Sequence, residues 1–96
     1  MVIEFLTFDI DPAHQQQWLD LEEQCWSRFL EQQAGFVDKQ MWRSLDDSHR
    51  IHSVIRWESM QHWEAIPQAE LAAVAASMGA SEREPAMAAF DLIRDC

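Results

Sequence analysis

The sequence predicts an α+β fold with the element order β-α-β-β-α-β, and three observations carry that expectation. Arg50 to Trp57 packs β-branched and aromatic residues into a short run that leads straight into a helix start at Ser59. A long amphipathic stretch from Pro12 to about Gln33 separates two other strand-like runs. A polar turn, Asp46 to His49, divides Phe36–Leu45 from Arg50–Trp57 in the manner of an antiparallel hairpin. This order is the split βαβ, or ferredoxin-like, arrangement: a four-stranded antiparallel sheet with two helices on one face.

The first strand is Val2 to Ile10. Ile3 and Phe5 fall on one of its faces; Val2, Leu6, Phe8 and Ile10 fall on the other, with Glu4 among them. A strand apolar on both sides needs cover on both sides. Asp9, Asp11 and Pro12 then mark a helix start, with an Asp as N-cap and Pro in the first turn. Trp18, Leu21, Cys25 and Phe29 form the apolar stripe of that helix, widened by Trp26 and Leu30. Glu22, Glu23, Gln24 and Glu31 are assigned to its wet side, and Ala34-Gly35 ends it. If Leu45 pairs with Arg50 across the turn, Arg43 stands opposite His52 on one sheet face, with Arg56 following on the same face.

Ser59 caps a second helix that runs to about Ala76, broken at Ile66-Pro67 because proline removes an intrahelical bond. Gly79 to Pro85 reads as a loop. For Ala86 to Arg94, propensity favours helix and position favours a closing strand; the strand is chosen, with Phe90, Leu92 and Ile93 as its apolar members. One sheet face is left uncovered in a monomer, and a second copy packed sheet to sheet is the simplest cover.

Composition narrows the functional classes. The 96 residues make one domain, residues 1–96, with a hydrophobic fraction of 48% that argues against disorder. Seven Lys plus Arg stand against seventeen Asp plus Glu, a formal net charge of −10. Such a surface repels phosphate backbones and anionic lipid, so neither nucleic acid nor membrane is an expected partner. Two cysteines, Cys25 and Cys96, make no disulfide framework. The four histidines are scattered, so no metal site is expected. With no basic leader and no apolar run near 20 residues, a cytoplasmic protein is expected.

At Ile55-Arg-Trp-Glu-Ser59, with Trp63 four residues on, the chain resembles the dimeric α+β barrel superfamily, and within it the antibiotic biosynthesis monooxygenase (ABM) domains. Gly35-Phe36 before the second strand matches the Gly-Phe usual in that family. It is also similar to a small cyanobacterial group of this type, which brings no activity with it. The resemblance spans nearly the whole chain. It implies a homodimer whose two sheets form a barrel, and a pocket between sheet and helices that admits aromatic polyketides, quinols or, in one branch, haem. The haem-degrading branch places an Asn in the first strand, a Trp in the second helix and a His about ten residues later. Here Thr7, Ile66 and the run Leu71–Ala76 stand at those places, a departure at all three.

The candidate chemistry follows from these pieces. His52 and Arg56 are the candidate catalytic residues: a histidine beside arginines is pushed toward its neutral, basic form. Trp42, Trp57, Trp63 and Arg43 are the candidate ligand-binding residues, because indoles stack planar rings. No cofactor is assigned. The expected ligand is a small aromatic or quinol-like molecule, and the expected reaction class a cofactor-independent monooxygenation. The rival expectation is a dimerisation or regulatory module whose tryptophans only fill a core. An aromatic-lined cavity beside His52 or Trp63 separates the two readings.

Overall fold

The computed structural model describes residues Met1 to Cys96. Four strands, β1 (Val2–Asp9), β2 (Phe36–Arg43), β3 (Arg50–Trp57) and β4 (Ala86–Asp91), form one antiparallel sheet in the order β2-β3-β1-β4. This is the ferredoxin-like topology expected from the element order. The closing segment is a strand, as chosen, but it ends at Asp91; Leu92 instead donates its backbone N–H to the Met1 carbonyl at 2.9 Å.

Of the two aspartates that mark the start of the first helical rod, Asp11 is the cap, its carboxylate accepting from the Ala13 amide at 2.9 Å. A 3₁₀ turn at Pro12–His14 leads into α1 (Gln15–Glu22), a π-turn over Glu23–Ser27, and α2 (Arg28–Leu30). The expected single α-helix is therefore interrupted by a wider turn. Ser59 caps the second rod through the His62 amide, and the break falls at Ile66-Pro67, between α3 (Met60–Glu64) and α4 (Gln68–Met78).

The sheet residues Ile51, Ser53, Ile55 and Trp57 all face the helices and are buried. The core has two halves. Phe8, Ile10, Trp18, Ile51 and Met78 make one, and Leu30, Ile55 and Trp57 the other, with Leu6 packed against both. Three indole N–H groups find partners that tie layers together: Trp57 to Glu4 Oε1 at 3.0 Å, Trp18 to the Ser81 carbonyl at 3.0 Å, and Trp26 to Glu82 Oε1 at 3.2 Å.

The hairpin register differs from the expected one by a single residue. Arg43 pairs with Ile51, and Trp42, not Arg43, stands opposite His52. The loop is six residues long rather than four, because Ser44 and Leu45 fall outside β2, although the Ser44 amide still donates to the Arg50 carbonyl at 3.0 Å. The Ser44 hydroxyl accepts from the Asp46 and Asp47 amides, and Asp47 accepts from the His49 amide. Since side chains alternate along a strand, this slip turns Arg43 to the other face. There its Nε donates to Gln15 Oε1 at 2.9 Å, and Gln15, itself buried, also donates to the carbonyls of Ile10 and Ser48. A bulge between Phe36 and Asp38 sets the register at the opposite end of β2, and Phe36 stands over Trp57 there.

On the helix-free face Phe5 stacks on His52 at 4.7 Å and meets Trp42 and Phe90 edge-on. Trp42 and Phe90 are each about half exposed (48% and 54%). This is the surface on which the sequence analysis places a second copy.

Candidate ligand cavity between sheet and helices

A cavity of about 550 Å³ lies between the two halves of the core, within the range of small-molecule sites. Glu4, Leu6, Ser53 and Ile55 of the central strands form its floor. Trp26 and Leu30 contribute from the first rod; Trp63, Ile66, Leu71, Ala72 and Ala75 from the second. The loop Glu82–Pro85 and Met87 of β4 complete the wall. The cavity exists because α4 presents small side chains where a packed helix would present Leu or Phe. Ala72 and Ala75 are too short to fill the space above the sheet; their helix starts after the Ile66-Pro67 break, packs against the π-turn of the first rod, and is buried at Met78.

Three polar groups give the cavity its character. Ser53 is fully buried, and its Oγ has no hydrogen-bond partner in the protein. Glu4 accepts from the Trp57 indole; burial raises its carboxyl above the ordinary carboxylate range, and the Trp57 bond opposes that rise only in part. Glu22 is the third, and its position corrects the expectation of a wet side chain. It is 3% exposed and pairs with Lys39 Nζ at 2.6 Å, and Lys39 also donates to Ser27 Oγ at 2.6 Å.

The π-turn explains that arrangement. In 3.6-residue winding, positions five apart point about 140° from each other. The i→i+5 repeat of Glu23–Ser27 narrows that angle, so Glu22 and Ser27 can both meet one lysine rising from β2. The sequence carries a usable signal for this pair: Lys39 falls two positions before Met41, on the helix-facing side of its strand, and a lysine there needs a carboxylate above it.

The expected site residues are not gathered in one place. Trp63 lines the cavity. Trp57 is wholly buried beneath Phe36 and serves the site through Glu4. Arg43 is held by Gln15, outside the cavity lining. His52, Arg56 and Trp42 are on the opposite face of the sheet. There His52 Nδ1 is 3.0 Å from Thr7 Oγ1, and Arg56 makes a two-pronged ion pair with Asp38. That pair draws the Asp38 carboxyl below its ordinary range. The premise of His52 flanked by two arginines therefore fails on the register: Arg43 is on the other side, and the charge of Arg56 is taken by Asp38.

Ser53 and Glu4 were missed as site residues, although each leaves a mark in the sequence. Ser53 interrupts the otherwise apolar alternation Ile51, Ile55, Trp57, and Glu4 interrupts Val2, Leu6, Phe8. A polar residue in a helix-facing row either has a partner or faces a cavity.

The cavity, its place under the helices and the ferredoxin-like sheet together define a class of small α+β domains. The antibiotic biosynthesis monooxygenase family model matches residues 1–90, and the chain belongs to that family. A search of curated proteins finds no match. Among solved structures, a mutant of MhuD with two manganese protoporphyrin IX molecules bound per active site is similar at TM-score 0.80 and 18% identity, covering 100% of this chain and 98% of that one. SnoaB, a cofactor-independent oxygenase from Streptomyces nogalater, is similar at TM-score 0.73 and 16% identity, covering 98% and 94%. The ActVA-Orf6 monooxygenase of Streptomyces coelicolor, in complex with nanaomycin D, is similar at TM-score 0.70 and 22% identity, covering 93% and 84%. These likenesses establish a shared fold. No helix is long and apolar enough to cross a membrane.

The donor set of this cavity does not fit haem. Haem iron is held by His, Cys, Met or Tyr; the lining offers only Met87, 64% exposed on the edge strand. With Glu22 already paired to Lys39, Glu82 and Glu84 still outnumber the single lining cation, Arg83, and that balance disfavours anionic propionates.

Proposed function

We propose that the cavity binds an uncharged, planar aromatic or quinol-like molecule and that the chain acts on it as a cofactor-independent monooxygenase, working as a homodimer packed through the helix-free sheet face. The observation that carries this reading is the apolar cavity with indoles in its wall and two buried polar groups, Ser53 and Glu4, in its floor. A cavity of this size is more than a packing defect: interiors are close-packed, and voids larger than a water molecule are few. Trp26 and Trp63 offer ring faces for a planar ligand, while the carboxylates disfavour an anionic one. Family membership supports the reaction class, and the exposed Trp42–Phe5–Phe90 cluster supports the packing.

Chelator-treated protein is expected to accelerate oxygen uptake in the presence of naphthohydroquinone, and to sediment at twice the chain mass at micromolar concentration. Uptake at the rate of the protein-free solution contradicts the oxygenase reading; a folded monomer contradicts the packing.

A further inference from the structure

Ser53 carries the one buried side-chain oxygen without a hydrogen-bond partner in the protein. Its side chain is fully buried at the centre of β3, between Leu6 and Met41 on the flanking strands, and its Oγ meets no protein donor or acceptor. Leaving a buried hydroxyl unpartnered opposes folding, and an alanine of nearly the same shape would avoid that. The two residues paired directly with it, Leu6 and Met41, are apolar, so packing gives no reason for an oxygen here. Ser53 borders the cavity from the sheet side, with no exposed area of its own, and Glu4 lines it too, diagonally across the β1–β3 ladder. One carboxylate oxygen of Glu4 is occupied by the Trp57 indole, which fixes the direction of the group.

We propose that Ser53 Oγ is the specificity-determining contact for a ring hydroxyl of the bound molecule, with Glu4 as the adjoining second polar contact. This rests on the cavity being the binding site, as proposed above. The chemistry matches: a phenolic hydroxyl donates and accepts, a serine hydroxyl does both, and the second oxygen of Glu4, not taken by the Trp57 indole, adds a further polar contact. An aromatic ring without oxygen would fill the same space and leave Ser53 as it is now. Selectivity for a hydroxylated ring follows, because a site with a buried polar group rejects ligands that cannot pair with it.

Anaerobic calorimetry with naphthohydroquinone and with naphthalene, the same ring without oxygens, tests this. Ser53→Ala is expected to weaken naphthohydroquinone binding about tenfold or more and to change naphthalene binding by no more than about threefold, one hydrogen bond being worth roughly that factor. Ser53→Cys, which keeps the shape and replaces the hydroxyl with a weak donor, is expected to behave alike. Equal effects of Ser53→Ala on the two compounds, or none on either, overturn the inference while the cavity stands. Wild-type protein that binds naphthalene alone also overturns it, and binding of neither compound overturns the proposed function with it.

Discussion

Lys39→Met is expected to destabilise the protein by about 3–5 kcal/mol, the usual cost of leaving one member of a buried ion pair without the other. Lys39 and Glu22 have side chains only 6% and 4% exposed, so water cannot replace the lost ammonium. The variant also strips Ser27 Oγ of its donor. The companion Lys39→Met/Glu22→Leu is expected to recover most of the loss, since an apolar pair of similar volume often matches a buried ion pair. Urea unfolding followed by circular dichroism measures both. A single variant that loses less than about 1 kcal/mol, the range of surface pairs, would show the pair to be solvated. A double variant no better than the single would show that the π-turn itself depends on this lysine.

Gly35→Ala is the second large effect, expected at about 2–5 kcal/mol from two separable sources. Gly35 has φ +83°, a left-handed conformation that costs an L-residue about 1–2 kcal/mol. A Cβ there would also lie 2.2 Å from His62 Cγ, and overpacking of that kind costs about 1–3 kcal/mol. His62 cannot step aside freely. Its Nδ1 is 2.7 Å from Ser59 Oγ, and its amide donates to the same oxygen, so moving the ring disturbs the cap of α3. In a His62→Gly background, which removes the His62 Cβ that would lie 2.4 Å away as well as the ring, the cost of Gly35→Ala is expected to fall to the backbone part alone, about 1–2 kcal/mol. Equal costs in the two backgrounds, measured by urea unfolding, would show that the close approach is relieved elsewhere.

The fold was legible because its signals are local. Asp11 and Ser59 cap where hydroxyl and carboxylate chemistry places caps, and Pro67 breaks the second rod. Two-sided strands declare an uncovered sheet face. The site was less legible because it depends on register and on helix winding, which are set at a distance. Two extra loop residues, Ser44 and Leu45, both on the β2 side of the expected turn, go with a one-residue slip that moved Arg43 away from His52. The π-turn carried Glu22 from the expected wet side onto Lys39, and no single residue in Glu23–Ser27 announces it. Trp63 was legible as a site residue because helical spacing after a capped Ser59 is robust. Ser53 and Glu4 were legible as anomalies in apolar rows, but only the cavity above them shows what an unpaired oxygen there can meet.

The placement of the ligand under the helices, rather than on the open face that holds His52, Arg56 and Trp42, is tested most directly by one comparison. Anaerobic calorimetric titration with naphthohydroquinone is made on wild type, Ala75→Phe and Trp42→Ala. Ala75→Phe fills the cavity from α4 without removing a polar group, and Trp42→Ala alters the far side of the sheet. Binding weakened about tenfold or more by Ala75→Phe and left within about twofold by Trp42→Ala is the predicted result, a loss of roughly 1.4 kcal/mol or more against almost none. Binding that survives Ala75→Phe and is lost in Trp42→Ala would contradict it.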